Sequence, residues 1–282
     1  MIRDTIYRVA VAFNYILSVP FSIIFLLCSS RIDPAYRMTW WSKWLLGLKM
    51  FRNKHFIQPN GTSFKSLLVM ALKILETPPD RPGIIVECGT WKGGSAASLS
   101  LVCRITGRKL YIFDSFEGLP APDPRDREGP AYHAGEFLGT LAEVRKNVTR
   151  YGAIECCEFV KGWFSDTLPT LKDDVVLVYL DVDLEASLHD CVRYLWPRLI
   201  DGGYIFTDEA VSVNYTALFY SEKWWEMHFH AEPPGLIGAG SGLALGEYYV
   251  GPWNERIDHP LQHATAVAYT RKGMTGVWNY FG

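Results

Sequence analysis

Acidic side chains end four of the short apolar runs in this sequence. They are Glu87, Asp114, the pair Asp181 and Asp183, and the pair Asp208 and Glu209. If the runs are parallel strands, their carboxyl ends meet at one edge of a sheet, which is where α/β proteins bind ligands. Carboxylates that lie close together disfavour one another's ionisation, so a cation or several hydrogen-bond donors must offset their charges. The spacing therefore predicts a ligand site at this edge.

The aspartates that follow the run VVLVYL are the strongest candidates for metal binding. Asp181 and Asp183 are alternate residues, so their side chains point to the same side as the chain leaves the strand. Asp208 ends the next predicted strand, which brings three or four carboxylates within reach of one point. Oxygen ligands in that number suit Mg²⁺ or a similar divalent cation. The alternative is that these carboxylates cap helices, such as the helix that begins near Ser187.

The turn from Gly89 to Ser95 joins the first predicted strand to a helix. Its glycines let the backbone approach a ligand closely, and the helix beyond offers unpaired N–H groups. The spacing differs from the G-x-G-x-x-G fingerprint of dinucleotide sites, so a plain tight turn is the alternative. Asp114 ends the next strand, where a carboxylate accepts hydrogen bonds from ribose hydroxyl groups. Together they favour an adenosine-type ligand without a 2′-phosphate.

Strands and helices alternate from Gly61 onward, which predicts a parallel sheet with helices on both faces. Strands are predicted at 84–88, 109–114, 156–161, 175–180, 203–207, 236–249 and 264–269. Helices are predicted at 64–76, 96–105, 141–151, 164–171, 187–199 and 213–229, with Thr62 and Ser63 as caps of the first. The loop from Gly118 to Gly139 is predicted to close over the ligand.

The composition is that of a packed globular protein. Of the 282 residues, 49% are hydrophobic and the net charge is −2, which argues against a disordered chain and against nucleic acid as a partner. None of the six cysteines has C-x-x-C spacing. We interpret all six as buried thiols in a reducing compartment, which favours a cytoplasmic location.

The amino-terminal 60 residues form a predicted extension. Residues 9–28 carry no charge and have about the length needed to span a bilayer, although Asn14 and Pro20 interrupt them. Residues 38–55 mix tryptophan and leucine with lysine and arginine, as helices at a membrane interface do. We predict that residues 9–55 touch the inner face of a membrane. The alternative is that both segments pack on the domain or on a partner subunit.

From about Gly61 to about Lys272 the chain resembles the macrocin O-methyltransferase (TylF-like) family. The motifs that carry this resemblance are VECGTWKGGSA, YIFDSFEGLP, KGWFSDTLP, LDVDLEAS, LWPRLIDGGYIFTDE and PGLIGAGSG. The family transfers methyl groups from S-adenosylmethionine to sugar hydroxyl groups with the help of Mg²⁺. The resemblance implies a class I methyltransferase domain over residues 61–282, with a Rossmann-like, mostly parallel seven-stranded sheet. It also implies a sugar or glycoconjugate acceptor and a homo-oligomer.

The resemblance also implies roles for individual residues. Asp181, Asp208 and Glu209 would hold the metal ion, and Asp183 would be the general base. The cofactor would be bound by Glu87, Gly89, Thr90, Trp91, Ser95, Asp114, Ser115, Phe116, Gly162, Trp163, Phe164, Asp166 and Asp181. Two residues depart from the family pattern, which often has a second aspartate in place of Glu209 and a tyrosine in place of Glu185.

Two other functions remain open at this point. The first is a metal-dependent glycosyltransferase, because Asp181-Val182-Asp183 has the D-x-D form that holds a metal ion and a nucleotide-sugar diphosphate. This hypothesis leaves Asp114 and the glycine turn unexplained. The second is a cofactor-binding relative without activity, which the departures at Glu185 and Glu209 suggest.

Overall fold

The amino-terminal part of the protein is helical. The computed structural model describes residues 22–122, 126, 132–208, 210, 213–238 and 267–273. Residues 22–28 form helix α1, a 3₁₀ turn follows at Pro34–Tyr36, and helices α2 (Trp40–Phe56) and α3 (Phe64–Glu76) come next. In the part of the chain that the structure describes, no helix has the length and apolar character needed to cross a membrane. Residues 9–21 of the predicted membrane segment lie outside it.

Seven strands form one mostly parallel sheet, which confirms the predicted fold class. They are β1 (Ile84–Cys88), β2 (Leu110–Asp114), β3 (Cys157–Lys161), β4 (Val175–Leu180), β5 (Leu199–Thr207), β6 (Ile237–Gly238) and β7 (Ala268–Arg271). The order across the sheet is β3-β2-β1-β4-β5-β7-β6, and only β7 runs antiparallel to its neighbours. The strand order reverses between β1 and β4, so a crevice opens beyond their carboxyl ends.

Helices cover both faces of the sheet. The remaining helices are α4 (Gly94–Thr106), α5 (Leu141–Tyr151), α6 (Phe164–Thr167), α7 (Glu185–Leu195), α8 (Val213–Ala217) and α9 (Glu222–Phe229). Neighbouring residues of β1 belong to different hydrophobic clusters: Ile85 packs with α2 to α5, and Val86 packs with α7 and α9. Because successive side chains of a strand point to opposite faces, these two clusters are the two layers of the core.

Several predicted boundaries are wrong for local reasons. The helix predicted at 187–199 ends at Leu195 because Pro197 has no N–H group to continue the helical hydrogen bonds, and β5 begins at Leu199. The helix predicted at 213–229 is divided, because the Ser221 hydroxyl group caps a new helix by accepting from the Trp224 N–H. Of the strand predicted at 236–249, Ile237–Gly238 is formed and residues 239–249 lie outside the described residues.

Two further expectations need correction. Only Cys88, Cys103 and Cys191 are fully buried, whereas Cys28 is exposed and the remaining two cysteines are partly exposed. Ser63 caps α3 as predicted, since its hydroxyl group accepts from the Ser66 N–H at 3.0 Å. Thr62 makes no cap and bonds elsewhere, as described below.

The amino-terminal helices pack into the same core as the sheet. Leu46 and Met50 of α2 join the hydrophobic cluster that contains Ile85. Helix α1 crosses α2 at Gly47, where Ile23 leaves little room for a side chain. The Lys43 ammonium group donates to carbonyl oxygens at the end of α1, which fixes that crossing.

Gly89 is expected to be irreplaceable for stability. Its φ is +79°, and a methyl group there would overlap the main-chain carbonyl oxygen of Asp181. Gly107 has a similar φ of +69° but open space around it. We expect Gly89→Ala to lower the free energy of unfolding by about 3 kcal/mol, from left-handed backbone and overlap together, and Gly107→Ala by about 1 kcal/mol. Urea unfolding measures both, and equal losses would contradict the close approach of β1 and β4.

Candidate active site

Glu87 places an unpaired acceptor at the end of β1. The side chain is completely buried, and its Oε2 accepts a hydrogen bond from the Thr90 hydroxyl group at 3.2 Å. Its Oε1 accepts none from the described residues. Burial raises the pKa of Glu87 to about 8; the nearby Ser95 and Thr90 hydroxyl groups oppose this rise, and the charges of Asp181 and Asp114 add to it. The Ser95 hydroxyl group therefore lowers the pKa of Glu87 without making a hydrogen bond of normal geometry to Oε1.

Asp114 is held at the end of β2 by the glycine turn. Its Oδ2 accepts from the Thr90 N–H at 2.8 Å, and its Oδ1 accepts from the Phe116 N–H at 2.6 Å. Burial raises the pKa of Asp114, while the N–H groups of Phe116, Thr90 and Trp91 oppose the rise. Three N–H donors for four lone pairs leave the carboxylate able to accept at least one more hydrogen bond. The carboxylate therefore lies where the sequence predicts it, beside the turn and able to accept further hydrogen bonds.

The other predicted cofactor residues line the same edge of the sheet. Ser115 closes the turn after β2 through a bond to the Gly118 carbonyl oxygen. The Gly162 N–H donates to the Asp114 carbonyl oxygen, which ties the end of β3 to β2. Trp163 precedes α6 and is 40% exposed. Gly89, Phe164 and Asp166 complete the predicted set, and Asp166 is exposed.

Three carboxyl groups come together beyond β4 and β5. Burial and, second to it, the charge of Asp181 raise the pKa of Asp183 to about 7, against the lowering effect of a hydrogen bond from Tyr132. Burial also raises the pKa of Asp208 well above its usual value; Asp181 and Asp183 add to this, and Lys54 opposes it. Asp183 has a φ of +57°, an uncommon backbone for an aspartate that is often found at functional sites.

Helix α2 and the connection that follows it supply two site residues that the sequence analysis missed. Lys54 is partly buried, and its pKa is lowered by burial while Asp208 and Asp181 oppose the decrease. Its Nζ donates to the Asn60 carbonyl oxygen at 2.6 Å. The Asn60 side chain presses against Gly94, and its buried Nδ2 has no acceptor among the described residues. The available signal was the buried stripe of α2, in which Leu46, Met50 and Lys54 follow one another at every fourth residue.

Two tyrosines were also missed. The Tyr179 hydroxyl group donates to Asp181 Oδ2 at 3.2 Å and lies 2.9 Å from the Thr62 hydroxyl group. Tyr179 and Asp181 are alternate residues of one strand end, so the spacing contained this pair. Tyr132 comes from the loop that was predicted to close over the ligand, and its ring packs on Phe137. That loop therefore reaches Asp183.

The donors at this edge suit a hard divalent cation only in part. Carboxylates that raise one another's pKa are the groups whose repulsion such a cation removes. Among the residues described, however, no three His, Cys, Asp or Glu side chains form a cluster that would hold a metal ion. The predicted ligand Glu209 lies outside the described residues. Metal binding therefore stays a prediction.

Comparison with protein families agrees with this arrangement. The model of the macrocin-O-methyltransferase (TylF) family matches residues 73–228, slightly more than half of the chain. The chain belongs to the TylF family. The match covers β1 to β5 and all of the predicted site residues. Membership favours the methyltransferase hypothesis over the glycosyltransferase one.

Curated relatives of the chain include O-methyltransferases of two Streptomyces species. The 8-demethyl-8-(2,3-dimethoxy-α-L-rhamnosyl)-tetracenomycin-C 4′-O-methyltransferase of Streptomyces olivaceus is 38% identical over 138 residues, which is 45% of this chain and 53% of that protein. The demethyldecarbamoylnovobiocin O-methyltransferase of Streptomyces niveus is 33% identical over 138 residues, with the same coverage of both chains. The chain thus spans about half the length of these relatives.

Solved structures share the fold over a longer stretch. The O-methyltransferase NovP matches with a TM-score of 0.59 and 23% identity over 91% of this chain and 98% of that one. CalS11, a calicheamicin methyltransferase, matches with a TM-score of 0.54 and 19% identity over 91% of this chain and 92% of that one. At these identities the likeness shows the fold alone.

The buried Glu87 carboxyl group is expected to make stability depend on pH. Its pKa is about 8 in the folded chain and lies near 4 in an unfolded one, so the folded state holds the proton more tightly. The free energy of unfolding therefore falls as pH rises, by roughly 3 kcal/mol for this group between pH 6 and pH 9. Glu87→Gln is expected to remove this contribution to the pH dependence of the free energy of unfolding, as measured by urea unfolding without ligand. The exposed Glu158→Gln is the matched control, and an equal slope in all three proteins would contradict the burial of Glu87.

Proposed function

We propose that this protein transfers a methyl group from S-adenosylmethionine to a hydroxyl group of a sugar or glycoconjugate. The observation that carries the proposal is the crevice at the strand reversal, where Glu87, Asp114 and Asp181 meet in a chain of the TylF family. The curated relatives support a sugar acceptor, since one of them is named as the 4′-O-methyltransferase of a rhamnosyl-tetracenomycin.

The unpaired atoms of the crevice suit the methionine end of the cofactor. That end carries an ammonium group, a carboxylate and a positively charged sulfur atom. Glu87 Oε1 is a buried acceptor, and Asn60 Nδ2 is a buried donor that faces Gly94, at the start of the helix next to it. Binding a cation beside Glu87 and Asp181 lowers the repulsion between their carboxylates. Asp114 would accept from the ribose hydroxyl groups.

Asp183 is the proposed general base. Its pKa of about 7 matches neutral conditions, where a base is partly unprotonated and still accepts a proton readily. As the acceptor oxygen bonds to the methyl carbon and the carbon–sulfur bond breaks, the hydroxyl proton passes to an Asp183 carboxylate oxygen. Tyr132, which donates to Asp183, would orient that carboxylate and bring the loop over the acceptor to exclude water.

Asp181, Asp208 and Glu209 are the proposed ligands of a Mg²⁺ ion. When bound, such an ion lowers the pKa of an acceptor hydroxyl group and holds two neighbouring hydroxyl groups in place. Lys54 would offset part of the same negative charge, and Tyr179 would orient Asp181.

The organisation of the whole chain is also proposed. Residues 61–282 would form the methyltransferase domain and residues 1–60 an extension that touches the cytoplasmic face of a membrane. A homo-oligomer is expected as well.

The ribose contact is expected to control cofactor affinity. Asp114→Asn should weaken binding of S-adenosylhomocysteine by roughly ten- to a hundredfold in titration calorimetry, since it removes charge-assisted hydrogen bonds. Asp173→Asn is the matched control, because Asp173 is exposed before β4, at the opposite edge of the sheet. Tight binding of uridine diphosphate in place of S-adenosylhomocysteine would support the glycosyltransferase instead.

The base is expected to control turnover and not cofactor binding. Asp183→Asn should lower kcat for methylation by roughly a hundredfold or more, while S-adenosylhomocysteine affinity stays the same. Mass spectrometry of methyl α-L-rhamnoside and related sugars, incubated with S-adenosylmethionine and MgCl₂, measures the added methyl group.

Glu185→Gln is the control for that variant, because Glu185 lies two residues away and pairs with His189. Unchanged turnover in the Asp183→Asn variant would contradict the role of Asp183 as the general base. Cofactor binding by the natural sequence without transfer to any sugar would favour the inactive relative.

A further inference from the structure

The outer side of α2 is apolar although it faces solvent. Trp41 is 67% exposed, Leu45 52% and Phe56 68%, and Leu48 is exposed between them. These residues recur at helical spacing, so they form one stripe, which we call the α2 outer face. Exposed apolar residues that share one side of a helix are typical of an interaction surface.

Neighbouring tryptophan rings restrict the motion of the α2 outer face at its amino-terminal end. Trp40 packs edge-on against Trp41 with ring centroids 4.7 Å apart, and it stacks on Trp44 at 6.0 Å. The Thr39 hydroxyl group caps the helix at this point. A rigid aromatic cluster loses little conformational entropy on binding.

The sequence that contains the stripe is basic. Between residues 34 and 75 it has no aspartate or glutamate, and its basic residues there are Arg37, Lys43, Lys49, Arg52, Lys54, Lys65 and Lys73. Of these, Arg37 and Lys49 are exposed, whereas the other five are partly buried. Because the whole chain has a net charge of −2, the rest of it is acidic. Lys49 is exposed next to Leu48. The partner that fits is therefore anionic as well as apolar.

We propose that the α2 outer face docks on the surface of an anionic lipid bilayer. Tryptophan rings partition to the headgroup region, aliphatic side chains enter the acyl boundary, and lysine and arginine attract the lipid phosphates. The proposal rests on the membrane contact proposed above and adds the face and the lipid charge. It does not depend on methyl transfer, although Lys54 of the same helix reaches the acid cluster.

Vesicle co-sedimentation of the full chain tests the proposal. The natural sequence is expected to bind phosphatidylcholine vesicles that contain phosphatidylglycerol at least tenfold more tightly than pure phosphatidylcholine vesicles, and less tightly at high salt. Trp41→Ser with Leu45→Ser should lower binding to the anionic vesicles at least tenfold. Lys49→Glu, which leaves the apolar stripe intact, should lower it several-fold.

The matched control is Met227→Ser on α9, which removes an apolar residue of 63% exposure from another surface and should bind like the natural sequence. No binding to anionic vesicles, or equal binding by the Trp41 and Leu45 variant, would overturn the proposal. A dimer in sedimentation equilibrium that this variant dissociates, without any effect of vesicles, would assign the face to a second copy of the chain. Calorimetry with S-adenosylhomocysteine on the same preparations keeps the two proposals apart, since vesicle binding without cofactor binding would contradict only the methyltransferase.

Discussion

The mutual repulsion of buried carboxyl groups is the interaction around which this site is organised. Four neighbouring strands deliver Glu87, Asp114, Asp181 and Asp208 to one edge of the sheet, and burial raises the pKa of three of them. Such charges destabilise a folded protein unless donors or cations face them. Backbone N–H groups face Asp114, and a tyrosine hydroxyl group faces Asp181. One Glu87 oxygen receives no hydrogen bond from the residues that the structure describes, and a cationic ligand would offset the charge of the acids around it.

The strand order explains why these groups meet. The strand order reverses between β1 and β4, which run parallel, so a crevice opens beyond their carboxyl ends. Gly89 allows the two strand ends to touch, because any side chain there would overlap the backbone of Asp181. The same contact puts the glycine turn beside the acid cluster. At this turn the protein backbone can approach a ligand closely. Topology and electrostatics thus favour one position for both the cofactor and the acceptor.

Local pattern was enough to predict the sheet and the strand-end acids. The unbroken apolar run of β4 predicts a buried strand, and the spacing of Asp181 and Asp183 predicts that both side chains point to one side. The Ser63 cap is predicted from equally local sequence. Lys54 could not be assigned in the same way. A lysine within a basic, tryptophan-rich stretch is usually solvated, and only the tertiary packing of α2 turns this one inward. The loop contact of Tyr132 likewise depends on how a long connection folds back, which carries no periodic signal.

Helix α2 links the two surfaces on which the proposals depend. Its inner side buries Met50 and Asn53 against the core and presents Lys54 to the carboxylates, while its outer side exposes tryptophan and leucine. A helix that is apolar on both sides is stable in water only where something covers each side. Helices α3 and α4 cover the inner one. The flanking residues are basic, and the sequence has no acidic residue from residue 34 to residue 75. An anionic surface therefore covers the outer side of α2 at a lower desolvation cost than a neutral apolar surface would.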